Sequence, residues 1–158
     1  MIPRRLLQTW KSKTVIPADL AYWRETVVRM NPAFEPLLFD DQDNRDLVST
    51  HCPRLLSMFD SFPEEIYRAD AVRPIYLFFL GGFYVDMDVE CLRPFDRYAE
   101  RGGILLGRMG NDPDFPESIP NALMASEARE GFWLLYLAQI VAASSQRVGQ
   151  RREAVTGP

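Results

Sequence analysis

The chain has 158 residues, 47% of them hydrophobic and 25% charged, a balance that suits one globular domain and excludes a disordered chain. A formal net charge of −4 and a pI near 5.1 argue against a general nucleic-acid scaffold. The longest uncharged apolar run, Ile75–Val85, contains two glycines and falls short of the roughly 20 residues a membrane-spanning helix needs, so no transmembrane segment is expected.

Arg4–Trp10 reads as a first strand, buried on both faces at Leu6 and Leu7. Leu20, Trp23, Val27 and Met30 recur at helical spacing over Ala18–Met30, and Asn31-Pro32 ends that helix. Phe34–Phe39 reads as a short second strand, placed at a sheet edge by Pro36. The acidic cluster from Asp40 to Asn44 caps a short helix reaching about Thr50, and Pro53–Phe62 is a further helical piece. A helix over Glu64–Leu80 carries Pro74 inside it, which predicts a kink or a break, and Gly81-Gly82 stops it. Phe83–Asp86 is a central strand that continues into Met87-Asp88-Val89-Glu90. Gly103–Gly107 and Asn121–Ser126 are further short strands on either side of a loop over Asn111–Pro120. Glu130–Ser145 is a helix with Phe132, Leu135, Tyr136, Gln139 and Ile140 along one side, and Arg147–Pro158 is a polar, basic end. Alternating strands and helices imply α/β layering.

The chemistry concentrates between Arg68 and Asp88. Asp86 and Asp88 lie two apart at the end of an apolar strand, and extended backbone of period two turns both carboxylates to one side. Strand ends are where open α/β sheets place their ligands. Two carboxylates there make a hard, oxygen-rich site suited to Mn²⁺ or Mg²⁺, with substrate phosphates and water completing the shell. Asp70 and Arg73 share one helix face, as an ion pair or as hydrogen-bond partners of sugar hydroxyls. Gly82 allows close approach of another group. The one histidine, His51, excludes multi-histidine metal sites, and Cys52 and Cys91 make neither a zinc site nor a disulfide framework.

The run from Arg68-Ala69-Asp70 through Gly81-Gly82-Phe83-Tyr84-Val85-Asp86-Met87-Asp88 resembles the core signature of the glycosyltransferases whose sugar-binding region contains a DXD motif, the family-32 group of α-mannosyl, capsular-polysaccharide and related transferases. Ile2–Trp10, Asn31-Pro32 with Leu38–Asp41, Ile119–Ser126 and Thr156-Gly157-Pro158 resemble its other elements. The resemblance implies a GT-A-like α/β fold with a mostly parallel central sheet flanked by helices. It implies retaining, metal-dependent transfer of a sugar from a nucleotide-sugar, UDP- or GDP-linked, to a glycan, lipid or protein acceptor. Asp86 and Asp88 then take the catalytic and metal positions. Trp10, Asp70, Arg73, Gly82, Tyr84 and Asn121 take the substrate side, with the Trp10 ring near the base. Leu7 stands where the family commonly has a histidine, and Pro74 where it has a tyrosine. The family usually continues past Thr-Gly-Pro, so residues 1–158 read as one catalytic domain truncated or shortened at its C-terminus. The compartment expected is the cytoplasm for a bacterial or viral chain and the Golgi lumen for a fragment of a eukaryotic one.

Two other readings compete. A haloacid-dehalogenase-like phosphatase also sets Asp-x-Asp after an apolar strand, but it needs a later lysine, and none follows Lys13. A non-catalytic nucleotide-sugar-binding relative would keep the fold without turnover.

Overall fold

A computed structural model describes residues 1–108, 110 and 119–145 of the protein. Five strands, β1 (Arg5–Thr9), β2 (Glu35–Phe39), β3 (Gly82–Val85), β4 (Ile104–Leu106) and β5 (Leu123–Ser126), form one sheet in the order β2-β1-β3-β5-β4. β1 runs parallel to β2 and β3, while β5 runs antiparallel to both β3 and β4. Four strands therefore point one way, and β5 alone is reversed. β2 carries Pro36 and forms one edge of the sheet, where a missing backbone N–H costs no ladder bond.

Leu6 and Leu7 show why β1 sits inside. Both are fully buried, and neighbouring residues of a strand point to opposite faces. Leu6 joins Phe83, Val85 and Ala125 against Val27 of α1 (Ala18–Met30) and Ala99 of α5 (Asp96–Arg101). Leu7 joins Tyr84 and Met124 against a second layer. That layer contains α2 (Asp41–His51), α3 (Leu56–Asp60), α4 (Glu65–Phe79) and α6 (Gly131–Ser145). It contributes Val48, Phe59, Tyr76 and Trp133 to the core. The sheet thus lies between two helical layers. Burying a side chain of leucine size stabilises the fold by about 1.5–3 kcal/mol over leaving it exposed.

Three local expectations change. α4 runs from Glu65 to Phe79 without a break at Pro74. Pro74 removes one helical N–H, but the whole stretch from Asp70 to Leu77 is buried, and packing holds the helix across that gap. α6 faces the core through Trp133, Leu137 and Ile140, while Phe132 and Leu135 are exposed. Met87–Glu90 does not prolong β3: the Val89 N–H donates to the Asp86 carbonyl and closes a turn. The expected loop over Asn111–Pro120, except Ile119 and Pro120, and the basic end Arg147–Pro158 lie outside the described residues. Among the described residues, no helix is long and apolar enough to cross a membrane.

Candidate active site

β1 and β3 are parallel neighbours, so Trp10 and Asp86, the residues that follow them, emerge at the same edge of the sheet. A cleft of about 500 Å³ opens there, with Thr9, Trp10, Lys11, Arg73, Tyr84, Asp86 and Asp88 in its lining. The two motif carboxylates do share one cavity. The cause is the turn from Asp86 to Val89, not the period of an extended strand. The Asp86 N–H donates to the Ala122 carbonyl at 2.8 Å, which ties this turn to the entry of β5.

Arg73 organises the floor. Its Nε donates to the Tyr84 hydroxyl at 2.8 Å, its Nη1 to Asp70 Oδ1 at 2.9 Å and its Nη2 to Asp86 Oδ1 at 2.8 Å. The Tyr84 hydroxyl in turn donates to the same Asp86 oxygen at 2.6 Å. Burial works against the Arg73 charge, but Tyr84, Asp86 and Asp70 outweigh it and raise its pKa, so it stays protonated. Burial also pushes the Tyr84 hydroxyl well up, which keeps it a donor. Burial pushes the Asp86 carboxyl up from its ordinary value, against the pull of Arg73 and Tyr84. Asp86 Oδ2 has no protein partner among the described residues, and Asp88 is exposed.

A second buried chain fixes the end of β1. The Tyr76 hydroxyl donates to Asn44 Oδ1, Asn44 Nδ2 to Thr9 Oγ1 at 2.9 Å, and Thr9 Oγ1 to the Phe39 carbonyl at 3.1 Å. Trp10 follows directly, half-buried, with its indole N–H donating to the Val15 carbonyl at 3.1 Å.

The other sequence-derived site residues divide. Trp10, Arg73, Tyr84, Asp86 and Asp88 all line the cleft. Asp70 does not: only 2% exposed, it meets Arg73 and accepts a bond from Asn121 Nδ2 at 3.3 Å. Asn121 is likewise buried and reaches the cleft only through Asp70 and Arg73. Gly82 is not brought to the site at all. It starts β3, at the strand end away from the cleft, with φ +120°, and a Cβ there would lie 2.8 Å from the Arg5 carbonyl oxygen. Its role is the close approach of β3 to β1. Leu7 is sealed in the core opposite Tyr84 and contributes nothing polar to the cleft. His51 is exposed at the end of α2, stacked on Phe79.

Sequence reasoning missed Lys11, Asp41 and Glu65 in the cleft lining and Tyr136 beside Asn121. Asp41 was legible as part of a helix cap and of the turn after the second strand, not as a site residue. Lys11, one of the chain's two lysines, was the better signal, since it directly follows the aromatic residue that ends β1.

An acidic, aromatic-edged cleft at the carboxyl end of parallel strands is where open α/β sheets place their ligands. The family described as the glycosyltransferase sugar-binding region containing the DXD motif matches residues 17–103, more than half of the chain, and the chain belongs to that family. It is 37% identical over 95 residues to inositol phosphoceramide mannosyltransferase 3 of Schizosaccharomyces pombe, a match covering 60% of this chain and 26% of that protein. It is 27% identical over 146 residues to inositol phosphoceramide mannosyltransferase 2 of the same yeast, covering 87% of this chain and 42% of the relative. A mannosyl phosphorylinositol ceramide synthase of Saccharomyces cerevisiae is 28% identical over 134 residues, covering 85% of this chain and 34% of the relative. The chain therefore spans less than half the length of these curated relatives. Among solved structures, the PaToxG glycosyltransferase superposes with a TM-score of 0.71 at 15% identity, covering 99% of this chain and 66% of that one, which shows the shared fold.

Proposed function

We propose that this chain transfers a hexosyl group, with retention, from a nucleotide-sugar to an acceptor hydroxyl. The observation that carries the reading is the joint presence of Asp86, Asp88, Arg73 and Trp10 on one cleft at the carboxyl edge of β1 and β3. The Trp10 ring offers a face for the base. Arg73, held charged by its partners, attracts the diphosphate and orients the sugar. Asp70 and Asn121 act one step back, by holding Arg73 in place.

The residues present fit a divalent cation. Among the described residues no three or more histidine, cysteine or acidic side chains lie together so as to hold a metal ion by themselves, but Asp88 and the unpartnered Oδ2 of Asp86 supply two carboxylates to the cleft. A hard cation of the Mg²⁺ or Mn²⁺ kind is commonly held by one or two carboxylates, with phosphate and water supplying the rest. Bound there, it would offset the charge that develops on the departing diphosphate.

In the transfer, the bond from the anomeric carbon to the diphosphate oxygen breaks, and the acceptor oxygen bonds that carbon from the same face. The acceptor proton passes to the departing phosphate oxygen, so no side-chain base is required. That agrees with the position of the one histidine outside the cleft. The yeast relatives are named for inositol phosphoceramide and its mannosylation, which favours a mannosyl donor and a lipid acceptor over the glycan and protein alternatives.

The test is donor turnover. Purified chain is incubated with Mn²⁺ and each of a panel of UDP- and GDP-sugars. Release of nucleoside diphosphate with at least one donor is expected. Release of inorganic phosphate would mark a phosphatase, and no release from any donor would leave a binding relative without turnover. Either result contradicts the proposal.

A further inference from the structure

The turn that carries Asp86 and Asp88 borders two cavities. Asp86, Met87 and Asp88 face the cleft, and the next five residues, Val89 to Arg93, line a separate groove of about 610 Å³. Its floor is apolar: Phe83 and Phe95, stacked with ring centroids 5.1 Å apart, together with Leu105 and Leu123. Its walls leave large apolar side chains in solvent, Leu92 at 75% and Leu106 at 39% exposed. Such surface is costly unless something covers it.

The rim is cationic on balance, with Arg93 and Arg97 against Glu90. Arg97 is engaged with the Tyr98 ring, 4.5 Å from its centroid. The Arg93 guanidinium is exposed and has no hydrogen-bond or ion-pair partner among the described residues. An apolar trough with a free guanidinium at its lip matches a molecule with a hydrocarbon chain and an anionic headgroup.

We propose that this groove docks the acceptor, as an amphiphile whose chain lies on Leu92, Leu106 and Phe95 and whose phosphate-bearing head meets Arg93. The inference rests on the transferase reading of the neighbouring cleft and names the acceptor class for it. Asp88 and Arg93 are five residues apart, so their Cα atoms are at most about 17 Å from one another. A head that extends from Arg93 along this turn would present its hydroxyl to the donor, and anchoring it turns an encounter of two dissolved molecules into a local event.

The experiment is a calorimetric titration of the intact chain with octyl phosphate below its micelle concentration, beside octyl glucoside and inorganic phosphate. Saturable binding of octyl phosphate is expected, with octyl glucoside and inorganic phosphate each about tenfold weaker or worse. Leu92→Asp should weaken octyl phosphate about tenfold or more, and Arg93→Gln should weaken octyl phosphate while leaving octyl glucoside unchanged. Leu92 and Arg93 are exposed, so both variants should fold. The inference is overturned if octyl phosphate does not saturate, or if its binding is the same in both variants. It is also overturned if the wild type is a dimer that Leu92→Asp dissociates, because a second copy then fills the groove. Donor binding, read in parallel by a Mn²⁺-dependent thermal shift with nucleotide-sugars, is expected to be intact in both variants. Absence of saturable octyl phosphate binding in the wild type, with its donor binding present, would refute the groove alone, and absence of donor binding in the wild type would refute the cleft reading.

Discussion

The cleft and the groove lie on either side of one turn and are ordered by opposite means. In the cleft, buried charge is matched: Arg73 serves Asp70, Asp86 and Tyr84 at once, while Asp88 and one oxygen of Asp86 have no protein partner among the described residues. In the groove, apolar surface is left unmatched, with Leu92 and Leu106 in solvent and a single free guanidinium nearby. What is left over marks what each cavity receives. Under the two proposals, the unspent carboxylate oxygens receive a cation and phosphates, and the uncovered leucines receive hydrocarbon. The contrast also separates stability from binding, because the cleft network holds the fold together and the exposed wall of the groove, Leu92 and Arg93, does not.

The sharpest way to break this comparison is Arg73→Met. Removing the guanidinium leaves Asp70 and Asp86 facing each other without a counterion, and breaking a buried pair in this way costs about 3–5 kcal/mol. Urea unfolding should show that loss, and a loss below about 1 kcal/mol would mean the network is not what orders the cleft. Leu92→Asp probes the other side. Its side chain supports no packing in the unliganded chain, so the same measurement should change by no more than about 0.5 kcal/mol. A large loss there would mean the groove wall is core.

A smaller effect sharpens the comparison at the start of α2. Asp40 accepts from the Asp43 N–H at 3.0 Å, and Asp43 accepts from the Asp40 N–H at 2.9 Å, a reciprocal cap. Partial burial pushes the Asp43 carboxyl up, but Lys13 at 2.7 Å and the Asp40 backbone outweigh it and hold it below its ordinary value. A carboxyl depressed in the folded state contributes stability above its unfolded pKa, and that stability is lost as pH falls through the folded value. The stability gap between wild type and Asp43→Asn should therefore be present near pH ~6 and close below pH ~4. A gap that widens on acidification would contradict this account. The pair is near the surface, so the gap is modest at any pH.

The legible parts of the chain are those where one local pattern has one structural solution. Leu6-Leu7 is an apolar pair in a short run, and both residues are buried because a strand covered by helices on both faces of the sheet has no exposed side. The stripe through α1 fits its observed bounds, since polar residues fill its other face. α6 is apolar nearly all round, so the side read from its spacing, Phe132, Leu135, Tyr136, Gln139 and Ile140, had no polar face to confirm it, and packing turned Trp133, Leu137 and Ile140 inward instead. Asp86 and Asp88 were assigned to one site on spacing, and the site is shared, but through a turn that an i to i+3 backbone bond defines. Gly82 sits four residues from Asp86 in the chain, and a strand of that length, about 13 Å, carries it to the far edge. Tyr136 reaches Asn121 only because α6 folds back over α4, a contact that nothing local encodes.

The central claim is that Asp88 completes a cation-dependent donor site, and it is tested most directly by thermal unfolding of wild type and Asp88→Asn with a nucleotide-sugar, with and without Mn²⁺. Asp88 is exposed, so the ligand-free melting temperatures should agree, and only the wild type should rise when both Mn²⁺ and donor are present. An equal rise in the two proteins would contradict the account.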